Sequence, residues 1–506
     1  MNSPSNDAAH PSNIADQPDS QRQLLQYDSI LRVAQSVSLT LGSDSLLISD
    51  ERSTGKTKRA CCGLLSKSST EETQSISLYN ILDAELSPSG LTITYAAHAT
   101  KHDVSVAALQ YPMAEEAKIK AEAWRGRLLH LAYGNAQRYK RLKVLVNPFG
   151  GKGDAVKLYQ KYAAPIFAAA HCKVDVQETT HGGHATEIAE QIDIGNYDAI
   201  VCCSGDGVPY EVFNGLAKKP NAQEALAKLA VALLPGGSGN AMTWNLCGTG
   251  SVSVAALTIV KGLRTPMDLV SITQGTTRTL SFLSQAFGVI AEADLGTDNI
   301  RWMGAHRFTY GFLVRIIQQT VYPCDLAVKV EINDKKVIKN HYNAYANSVP
   351  PLRSPQDAAG QPRGLPELKY GTVQDDLPKD WEVIPAETLG NFYAGNMAIV
   401  SKDTSFFPAS LPNDGMIDIV TIDGTLGMSK SLKMMTSIPE GSFFDMPDVN
   451  VRKVTAYRLT PREKEGYISV DGERIPFEPF QVEVHQGLGT VLSKSGHLYE
   501  AEGPKP

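Results

Sequence analysis

The residues best suited to chemistry lie in three glycine-rich segments between Val144 and Met242, which read VLVNPFGGKGDA, VCCSGDGVPYEVFNGL and ALLPGGSGNAM. In each segment an apolar run that predicts a buried strand precedes the glycines. Glycine leaves backbone N–H groups open to phosphate oxygens, and a following helix adds partial positive charge at its N-terminus. The segments therefore predict a nucleotide cradle made of backbone groups, with the carboxylate of Asp206 inside it.

Asp206 is the candidate for acid–base chemistry in this cradle. Phosphoryl transfer to an alcohol requires a base or an orienting acceptor at the hydroxyl, and a metal ion that spreads charge on the γ-phosphate. The alternative is that Asp206 only caps the helix that follows it, a common use of aspartate. No G-x-x-x-x-G-K-[ST] segment occurs, so a Walker A site is excluded. The pattern predicts a kinase whose nucleotide site is built from these glycine turns and not from a Walker A segment.

The composition narrows the class of protein. With 506 residues, 42% hydrophobic and 20% charged, the chain is typical of a soluble globular protein of two or three domains. A net charge of -6 argues against a nucleic-acid partner. The seven cysteines form no C-x-x-C pair, and no apolar run approaches the roughly 18 residues of a membrane-spanning helix. The N-terminus has no apolar signal segment, so we expect a reduced, cytosolic protein.

The pattern along the chain predicts four regions. Residues 1–27 are polar and form a disordered tail. Residues 28–111 contain short alternating runs that indicate a small β-rich module. Residues 112–270 alternate strands and helices, as in an α/β domain with a parallel sheet. Residues 271–500 return to strands separated by polar turns, with a helix at about 307–319 and a long surface insertion at 350–388.

Five motifs in fixed order resemble those of the diacylglycerol kinase catalytic superfamily, and within it those of the sphingosine kinases, also called long-chain-base kinases. They are NPFGGKG at 147–153, ETTHGGHA at 178–185, SGDG at 204–207, PGGSGNA at 235–241 and DGE at 471–473. The resemblance covers roughly residues 140–485. It implies an α/β nucleotide-binding domain followed by a β-rich, sandwich-like lipid-binding domain. It also implies ATP and Mg2+ as cofactors and a sphingoid base as the substrate.

The resemblance also assigns roles to single residues. Asp206 is the expected catalytic base, and Ser204, Asp206 and Asp294 are the expected substrate contacts. No residue is assigned as a direct metal ligand. The implied ATP contacts are Asn147, Pro148, Phe149, Thr179, Gly205, Gly207, Glu211, Gly237, Ser238, Gly239, Arg301, Arg307, Asp471, Gly472 and Glu473.

Asp294 is the residue expected to select the lipid. A carboxylate suits the ammonium group of a sphingoid base, whereas diacylglycerol has no amine and would leave that carboxylate unpaired. The alternatives are a surface role for Asp294, a diacylglycerol or ceramide kinase on the same scaffold, or a catalytically silent lipid-binding protein. An apolar slot in the β-rich half should hold the tail, and its candidate residues are Phe282, Phe287, Met303, Phe308 and Leu313, although such a run is commonly core.

Access to a lipid substrate predicts peripheral association with internal or plasma membranes. The segment KTKRACCGLLSK at 56–67 places Cys61 and Cys62 between basic residues and two leucines. Basic charge together with acylatable thiols is typical of two-signal anchoring. The alternative is that both residues are free cysteines in a loop.

Overall fold

The computed structural model describes residues 29–50, 72–296, 314, 318, 320–348 and 363–505, apart from Gln35, Lys152 and Glu440. Several sequence-based predictions fall outside these residues, namely the tail at 1–27, Cys61, Cys62, Arg301, Arg307 and nearly all of the helix at 307–319. The chain divides into two units. One holds Met1–Ala97 with Val106–Gly134, and the other holds His98–Ser105 with Asn135–Pro506.

Short antiparallel strands and one helix make up the first unit. β1 to β4 form a four-stranded sheet and β5 to β7 a three-stranded sheet. Alternating burial along β2 and β3 shows that one face of the first sheet is packed and the other is more open. The strands are β1 (Ile30–Ala34), β2 (Val37–Leu41), β3 (Ser45–Asp50), β4 (Glu72–Ser77), β5 (Ile81–Ser87), β6 (Gly90–His98) and β7 (Val104–Tyr111), with a 3-10 turn at Leu78–Asn80.

Helix α1 (Glu115–Tyr133) belongs to this first unit. Ala121, Trp124 and Leu128 recur at helical spacing and are buried, and the helix packs against β5. The division between units therefore falls after Gly134, whereas the sequence placed this helix in the α/β domain from residue 112. Helical periodicity alone does not indicate which sheet a helix covers.

A parallel sheet forms the first half of the second unit, in the order β9-β8-β10-β11. Every residue of β10 and β11 is buried, as expected for a sheet covered on both faces. The strands are β8 (Arg141–Val146), β9 (Lys173–Glu178), β10 (Ala199–Ser204) and β11 (Ala230–Pro235). The helices are α2 (Ala155–Leu158), α3 (Ala164–Ala169) after a π-helical turn at Tyr159–Ala163, α4 (His184–Gln191), α5 (Gly207–Ala217), α6 (Ala222–Lys228), α7 (Ala241–Cys247) and α8 (Val252–Lys261).

The second half of this unit is β-rich. Its strands are β12 (Leu263–Gln274), β13 (Thr277–Ser281), β14 (Ser284–Gly288), β15 (Cys324–Ile332), β16 (Glu382–Ile384), β17 (Leu389–Gly395), β18 (Ile399–Ser401), β19 (Thr404–Ser405), β20 (Ile417–Asp423), β21 (Asn450–Pro461), β22 (Ile468–Val470), β23 (Glu473–Ile475) and β24 (Phe480–Ser493). Its helices are α9 (Val289–Leu295), α10 (Lys335–Ala346) and α11 (Met428–Ser437), with a 3-10 turn at Phe443–Asp445.

Among the residues that the structure describes, strand β24 joins the two halves into one sheet of 15 strands. It pairs in parallel with β11 at Val231 and Val491, and antiparallel with β12 and β21. The predicted fold class, an α/β part followed by a β-rich part, is confirmed. β12 runs across the predicted boundary at residue 270, because its pairing with β24 continues the sheet through that point.

The described part of the insertion, residues 363–388, is fixed to this sheet by buried polar side chains. Glu483 accepts hydrogen bonds from the backbone N–H groups of Lys369 (2.9 Å) and Tyr370 (3.0 Å). The side-chain amide of Gln481 donates to the carbonyl oxygens of Tyr370 (3.1 Å) and Gly371 (3.0 Å). The insertion is thus a strap on the sheet rather than a free loop in this region.

Within the described residues, no single helix has the length and apolar character needed to cross a membrane. The bent pair α7 and α8, with 53° between the helices, meets the criteria of length and composition together.

Candidate active site

The three glycine turns meet at one edge of the parallel sheet. Val146 pairs with Glu178 and with Cys203, and Ser204 pairs with Pro235, so β8 to β11 end at the same level. The turns that follow are in close contact. A Cβ at Gly151 would lie 2.3 Å from the carbonyl oxygen of Gly236, and one at Gly237 would lie 2.4 Å from the Cα of Gly205. Because such distances exclude any side chain, the turns require glycine at these positions.

The third turn is held in shape by Asn240. Its side-chain oxygen accepts a hydrogen bond from the N–H of Gly237 (2.8 Å), and its amide donates to the carbonyl oxygen of Gly237 (2.9 Å). Asn240 has a φ of 55°, a left-handed conformation that asparagine tolerates better than most residues. The clamp leaves Ser238 exposed at the tip, as a phosphate contact requires. Sequence reasoning missed Asn240 as a functional residue, although its place at the end of the motif was a usable signal.

Asp206 connects the second turn to the third. Its carboxylate accepts hydrogen bonds from the N–H groups of Ala241 (2.9 Å) and Met242 (3.0 Å), the first residues of α7. Asp206 therefore caps a helix, but the helix is α7 and not α5, which follows it in sequence. Burial raises the pKa of Asp206, while these backbone hydrogen bonds act in the opposite direction. A fixed carboxylate with a raised pKa suits a general base.

Glu211 also caps a helix from a distance. Its carboxylate accepts hydrogen bonds from the N–H groups of Gly183 (2.9 Å) and Ala185 (3.0 Å) at the start of α4. Glu211 was predicted as an ATP contact, and the same side chain lines the cavity described next. Part of its function is therefore to hold the turn before α4 in place.

A cavity of about 270 Å³ lies beside the first turn. Phe149 is 73% exposed at this cavity, which is unusual for a phenylalanine and fits a platform for a flat ring. Thr179 is 4% exposed, and its N–H donates to the carbonyl oxygen of Val146 (2.9 Å), so its backbone fixes the turn after β9. The cavity is lined by Asn147, Phe149, Thr179, Thr180, His181, Gly182, Val208 and Glu211. It has the size and the aromatic wall expected of a nucleoside site.

The hydroxyl of Ser204 forms a hydrogen bond within the chain. It donates to the carbonyl oxygen of Gly205 (2.8 Å), and Ser204 is fully buried at the end of β10. The role of Ser204 as a substrate contact stays a prediction.

Asp471 holds a connection between two strands, and its role as an ATP contact stays a prediction. Its carboxylate accepts hydrogen bonds from the hydroxyl of Ser281 (2.6 Å) and from the N–H groups of Phe282 (2.9 Å), Leu283 (3.0 Å) and Ser284 (2.9 Å). It is 3% exposed, and burial raises its pKa to about 6. Its carboxylate is therefore turned toward the connection between β13 and β14.

Glu473 is the member of the D-G-E element that reaches the glycine turns. Asp471 and Gly472 have positive φ angles of 51° and 84°, which turn the chain between β22 and β23. Glu473 begins β23, and a Cβ at Gly207 would lie 3.0 Å from its Oε1 atom. The carboxylate of Glu473 thus lies beside Gly207, the residue that follows Asp206 in the second turn.

Asp294 lies on α9 beside the strand that leads to Glu473. The hydroxyl of Ser469, in the middle of β22, donates to the Oδ2 atom of Asp294 (3.2 Å). The structure therefore links Asp294 to the turn that carries Glu473. Arg301 and Arg307 lie outside the described residues, and their roles stay predictions.

A pocket with mostly apolar walls lies at the start of α9. Val289 and Ile290 form part of its wall, and Asp294 lies about 6 Å further along the same helix. The other walls come from α11, the end of β20 and neighbouring turns: Thr320, Gly390, Asn391, Phe406, Ile422, Asp423, Gly424, Leu426, Ser431, Met434, Met435, Ile438 and Phe443. The space measures about 50 Å³, room for one or two water molecules. An alkyl chain can enter only when the walls move apart.

The predicted tail residues that the structure describes do not line this pocket. Phe282 packs against Phe213 with ring centroids 5.5 Å apart, and Phe287 packs against Tyr322 and Phe477. Both are core residues. Met303, Phe308 and Leu313 lie outside the described residues.

Comparison with protein-family models divides the chain into three matched regions. Residues 29–134 match "Domain of unknown function (DUF7493)", residues 141–272 match "Diacylglycerol kinase catalytic domain" and residues 386–493 match "YegS C-terminal NAD kinase beta sandwich-like domain". The second region contains all three glycine turns, and the third contains the D-G-E element.

The chain is also similar to characterised proteins over most of its length. It is 35% identical over 368 residues to sphingoid long chain base kinase 4 of Schizosaccharomyces pombe, covering 72% of this chain and 78% of that protein. It is 34% identical over 427 residues to sphingoid long chain base kinase 5 of Saccharomyces cerevisiae, covering 74% of this chain and 62% of that protein. It is 30% identical over 386 residues to sphingosine kinase 1 of Arabidopsis thaliana, covering 70% and 76%.

Proposed function

This chain belongs to the sphingoid long-chain-base kinases, and we propose that it transfers the γ-phosphate of ATP to the primary hydroxyl of a sphingoid base. One observation carries the proposal: the glycine turns after β8, β10 and β11 converge at one sheet edge with Asp206 and Glu473 beside them. Backbone N–H groups at this edge suit phosphate, and a carboxylate suits the attacking hydroxyl.

Asp206 acts as the base in this proposal. Two backbone hydrogen bonds hold its carboxylate in one orientation, and its raised pKa makes it a stronger proton acceptor than an ordinary aspartate. The proton of the primary hydroxyl moves to Asp206 as the oxygen attacks the γ-phosphate, and the second product is ADP. The cavity beside Phe149 holds the adenosine, and the exposed Ser238 lies at the phosphate end.

The carboxylates near the turns also fit Mg2+, which binds through one or two carboxylates and the phosphates of a nucleotide. The carboxylate of Asp206 lies between the second and third turns, where it accepts hydrogen bonds from Ala241 and Met242, and Glu473 adds a carboxylate beside Gly207. Mg2+ bound with ATP would spread the negative charge that develops on the phosphates. We propose Asp206 and Glu473 as the residues that face this ion.

The lipid is recognised from its two ends in this proposal. Asp294 faces the ammonium group, and the apolar pocket at the start of the same helix receives the first part of the tail. A carboxylate that is left without a cation would cost more than a lost contact, so the site disfavours diacylglycerol and ceramide.

We further propose that the protein works at the cytoplasmic surface of internal or plasma membranes. The substrate resides in a bilayer, and the five cysteines within the described residues are free thiols, as in a reducing compartment. Acylation of Cys61 and Cys62 stays a prediction.

A radiolabelled-ATP assay across lipids tests the function. Wild-type protein should label sphingosine, dihydrosphingosine or phytosphingosine well above ceramide and diacylglycerol, and the Asp206→Asn variant should label none of them efficiently. Preferential labelling of diacylglycerol or ceramide would move the protein to the alternative kinases. Equal, background labelling by both proteins would identify a silent lipid-binding protein.

A further inference from the structure

The turn between β9 and α4 forms one wall of the cavity proposed to hold the nucleoside. Four consecutive residues line the cavity from this side: Thr179, Thr180, His181 and Gly182. The turn is anchored at both ends, since Thr179 donates a hydrogen bond to β8 and Gly183 donates one to Glu211. Thr180 and His181 between these anchors are exposed. Their position therefore depends on contacts within the turn and with the helix that follows.

His184, the first residue of α4, holds the middle of this turn. The backbone N–H of Thr180 donates a hydrogen bond to the Nδ1 atom of His184 (3.0 Å). An imidazole nitrogen accepts a hydrogen bond only when it carries no proton. The contact therefore requires a neutral His184 ring with its proton on Nε2.

A second imidazole is stacked on the first. The ring centroids of His181 and His184 are 4.9 Å apart, and the ring planes differ by 13°. The Nε2 atom of His181 lies 3.2 Å from Oε1 of Glu187, and because a carboxylate only accepts, this nitrogen carries a proton. The hydroxyl of Thr180 lies 3.0 Å from Nδ1 of His181 and 3.2 Å from Nδ1 of His184. Since Nδ1 of His184 already accepts the N–H of Thr180, the hydroxyl donates to His181, and both rings hold Thr180.

Protonation of His184 would break this arrangement. A proton on its Nδ1 atom would face the N–H of Thr180, which would lose its acceptor. The new charge would also lie at the N-terminus of α4, where the helix dipole disfavours a cation. The carboxylates near this turn favour a positive charge instead: Glu187, which contacts His181, Glu211, which holds Gly183 and Ala185, and the exposed Glu178 at the end of β9. They shift the pH at which His184 gains its proton, but the contact is lost once it does.

We propose that His184 is a positioning residue for ATP: its neutral ring holds Thr180 in the wall of the nucleoside cavity, and its protonation releases that wall and weakens ATP binding. This role rests on the proposed function in placing the nucleoside in the cavity, but it does not depend on which lipid is phosphorylated. The opposite sign is expected if the two histidines bind the phosphates as cations, because acidification would then tighten ATP binding.

Equilibrium binding of ATP without lipid, from about pH 8 to about pH 5.5, tests this role across the range in which histidines titrate. His184→Asn is the informative variant, because an asparagine oxygen replaces Nδ1 as an acceptor and does not titrate. At the alkaline end it should bind ATP within about threefold of wild type. At the acidic end it should bind about three- to tenfold more tightly than wild type, which corresponds to one hydrogen bond. Because a phosphate group titrates in the same range, the measured quantity is the ratio of the two dissociation constants at each pH.

Two further variants serve as controls. His184→Ala removes the acceptor, so at the alkaline end it should bind ATP about three- to tenfold more weakly than wild type. Its KM for ATP should rise by the same factor, whereas kcat at saturating ATP should change little. His130→Ala removes an exposed histidine from α1 and should follow wild type at every pH. Thermal unfolding of each preparation shows whether it is folded, and the asparagine variant tests the role even where the alanine variant is not.

The ratio for His184→Asn decides the outcome. A ratio that stays constant across the pH range would overturn the role of His184, and so would a wild type that gains affinity relative to this variant on acidification. A wild type that binds no ATP would overturn this role together with the proposed function. The expected ratio in a protein that phosphorylates no sphingoid base would instead refute the proposed substrate and leave the role of His184 intact.

Discussion

Replacing Asp206 by asparagine should damage the protein in two separable ways. The carboxylate accepts hydrogen bonds from the N–H groups of Ala241 and Met242, whereas an asparagine side chain has one acceptor oxygen and an NH2 group. One helix N–H therefore loses its acceptor and faces another donor. Losing a helix cap of this kind costs about 1–2 kcal/mol of unfolding free energy. Because unfolding entropy is about 2.1 cal/mol/K per residue and this unit, His98–Ser105 with Asn135–Pro506, is large, the melting temperature should fall by only about 1–3 °C.

The second effect is on turnover. Asparagine cannot take the proton of the substrate hydroxyl, so kcat should fall at least about a hundredfold, the usual scale for a general base. For wild type, the pKa of Asp206 is raised, so activity should fall as the pH drops through a value above that of an ordinary aspartate. Steady-state kinetics across pH, together with thermal unfolding of the same preparations, measure both effects.

Glu211→Gln is the matched control because the chain offers the same cap twice. Glu211 accepts hydrogen bonds from Gly183 and Ala185 as Asp206 does from Ala241 and Met242. Its variant should lose a similar amount of stability and bind ATP more weakly, but its turnover at saturating ATP should stay far above that of Asp206→Asn. Near-normal turnover of Asp206→Asn would remove Asp206 as the base. Equal loss of turnover in both variants would attribute the effect to the helix caps.

Three further changes test other parts of the site. Gly237→Val should weaken ATP binding far more than lipid binding, because a Cβ there would lie 2.4 Å from the Cα of Gly205; equal losses in titrations with both ligands would indicate misfolding. Asp294→Asn should raise the KM for a sphingoid base by roughly ten- to a hundredfold, which corresponds to a charge-assisted hydrogen bond of about 1.5–3 kcal/mol. The KM for ATP and the KM for an N-acylated substrate should change little. Unchanged kinetics with the sphingoid base would contradict the role of Asp294 in selecting the lipid. Burial raises the pKa of Asp471 from its ordinary 3.8 to about 6, so the folded state holds this proton more tightly than the unfolded state does, and the free energy of unfolding falls as pH rises through that interval. The Asp471→Asn variant should show a flatter dependence of its thermal unfolding midpoint on pH. An unchanged dependence would contradict the raised pKa of Asp471.

The sequence could predict the cradle because its cause is local. Turns that follow the strands of one parallel sheet lie at its carboxyl edge. The turns that contain Gly151, Gly205 and Gly237 were therefore expected to converge. The D-G pair at Asp471 likewise predicts a turn wherever it lies. The helix α11 was missed, although Met428, Leu432 and Met435 repeat at helical spacing, because a single short helix gives little signal within a β-rich region.

The partners of the carboxylates could not be predicted, because they are set by contacts between distant parts of the chain. Asp206 bonds to residues 35 and 36 positions away, and Asp471 to residues 187 to 190 positions away. Spacing along the sequence shows that a carboxylate stands at a turn, but only the sheet order decides whether its lone pairs face a nucleotide or another backbone segment. This is why Glu473, and not Asp471, reaches the glycine turns.

The geometry of Asp206 couples base strength to the shape of the phosphate site. The carboxylate proposed to accept the substrate's proton also holds the start of α7, and the third turn lies between that helix and β11. Protonation of Asp206 weakens these hydrogen bonds, because a neutral carboxyl is a poorer acceptor than a carboxylate. The position of Ser238 and Gly239 therefore depends on the charge of Asp206, the proposed base. Substitutions at Asp206 and in the third turn should accordingly be non-additive, as expected for residues that act as a unit.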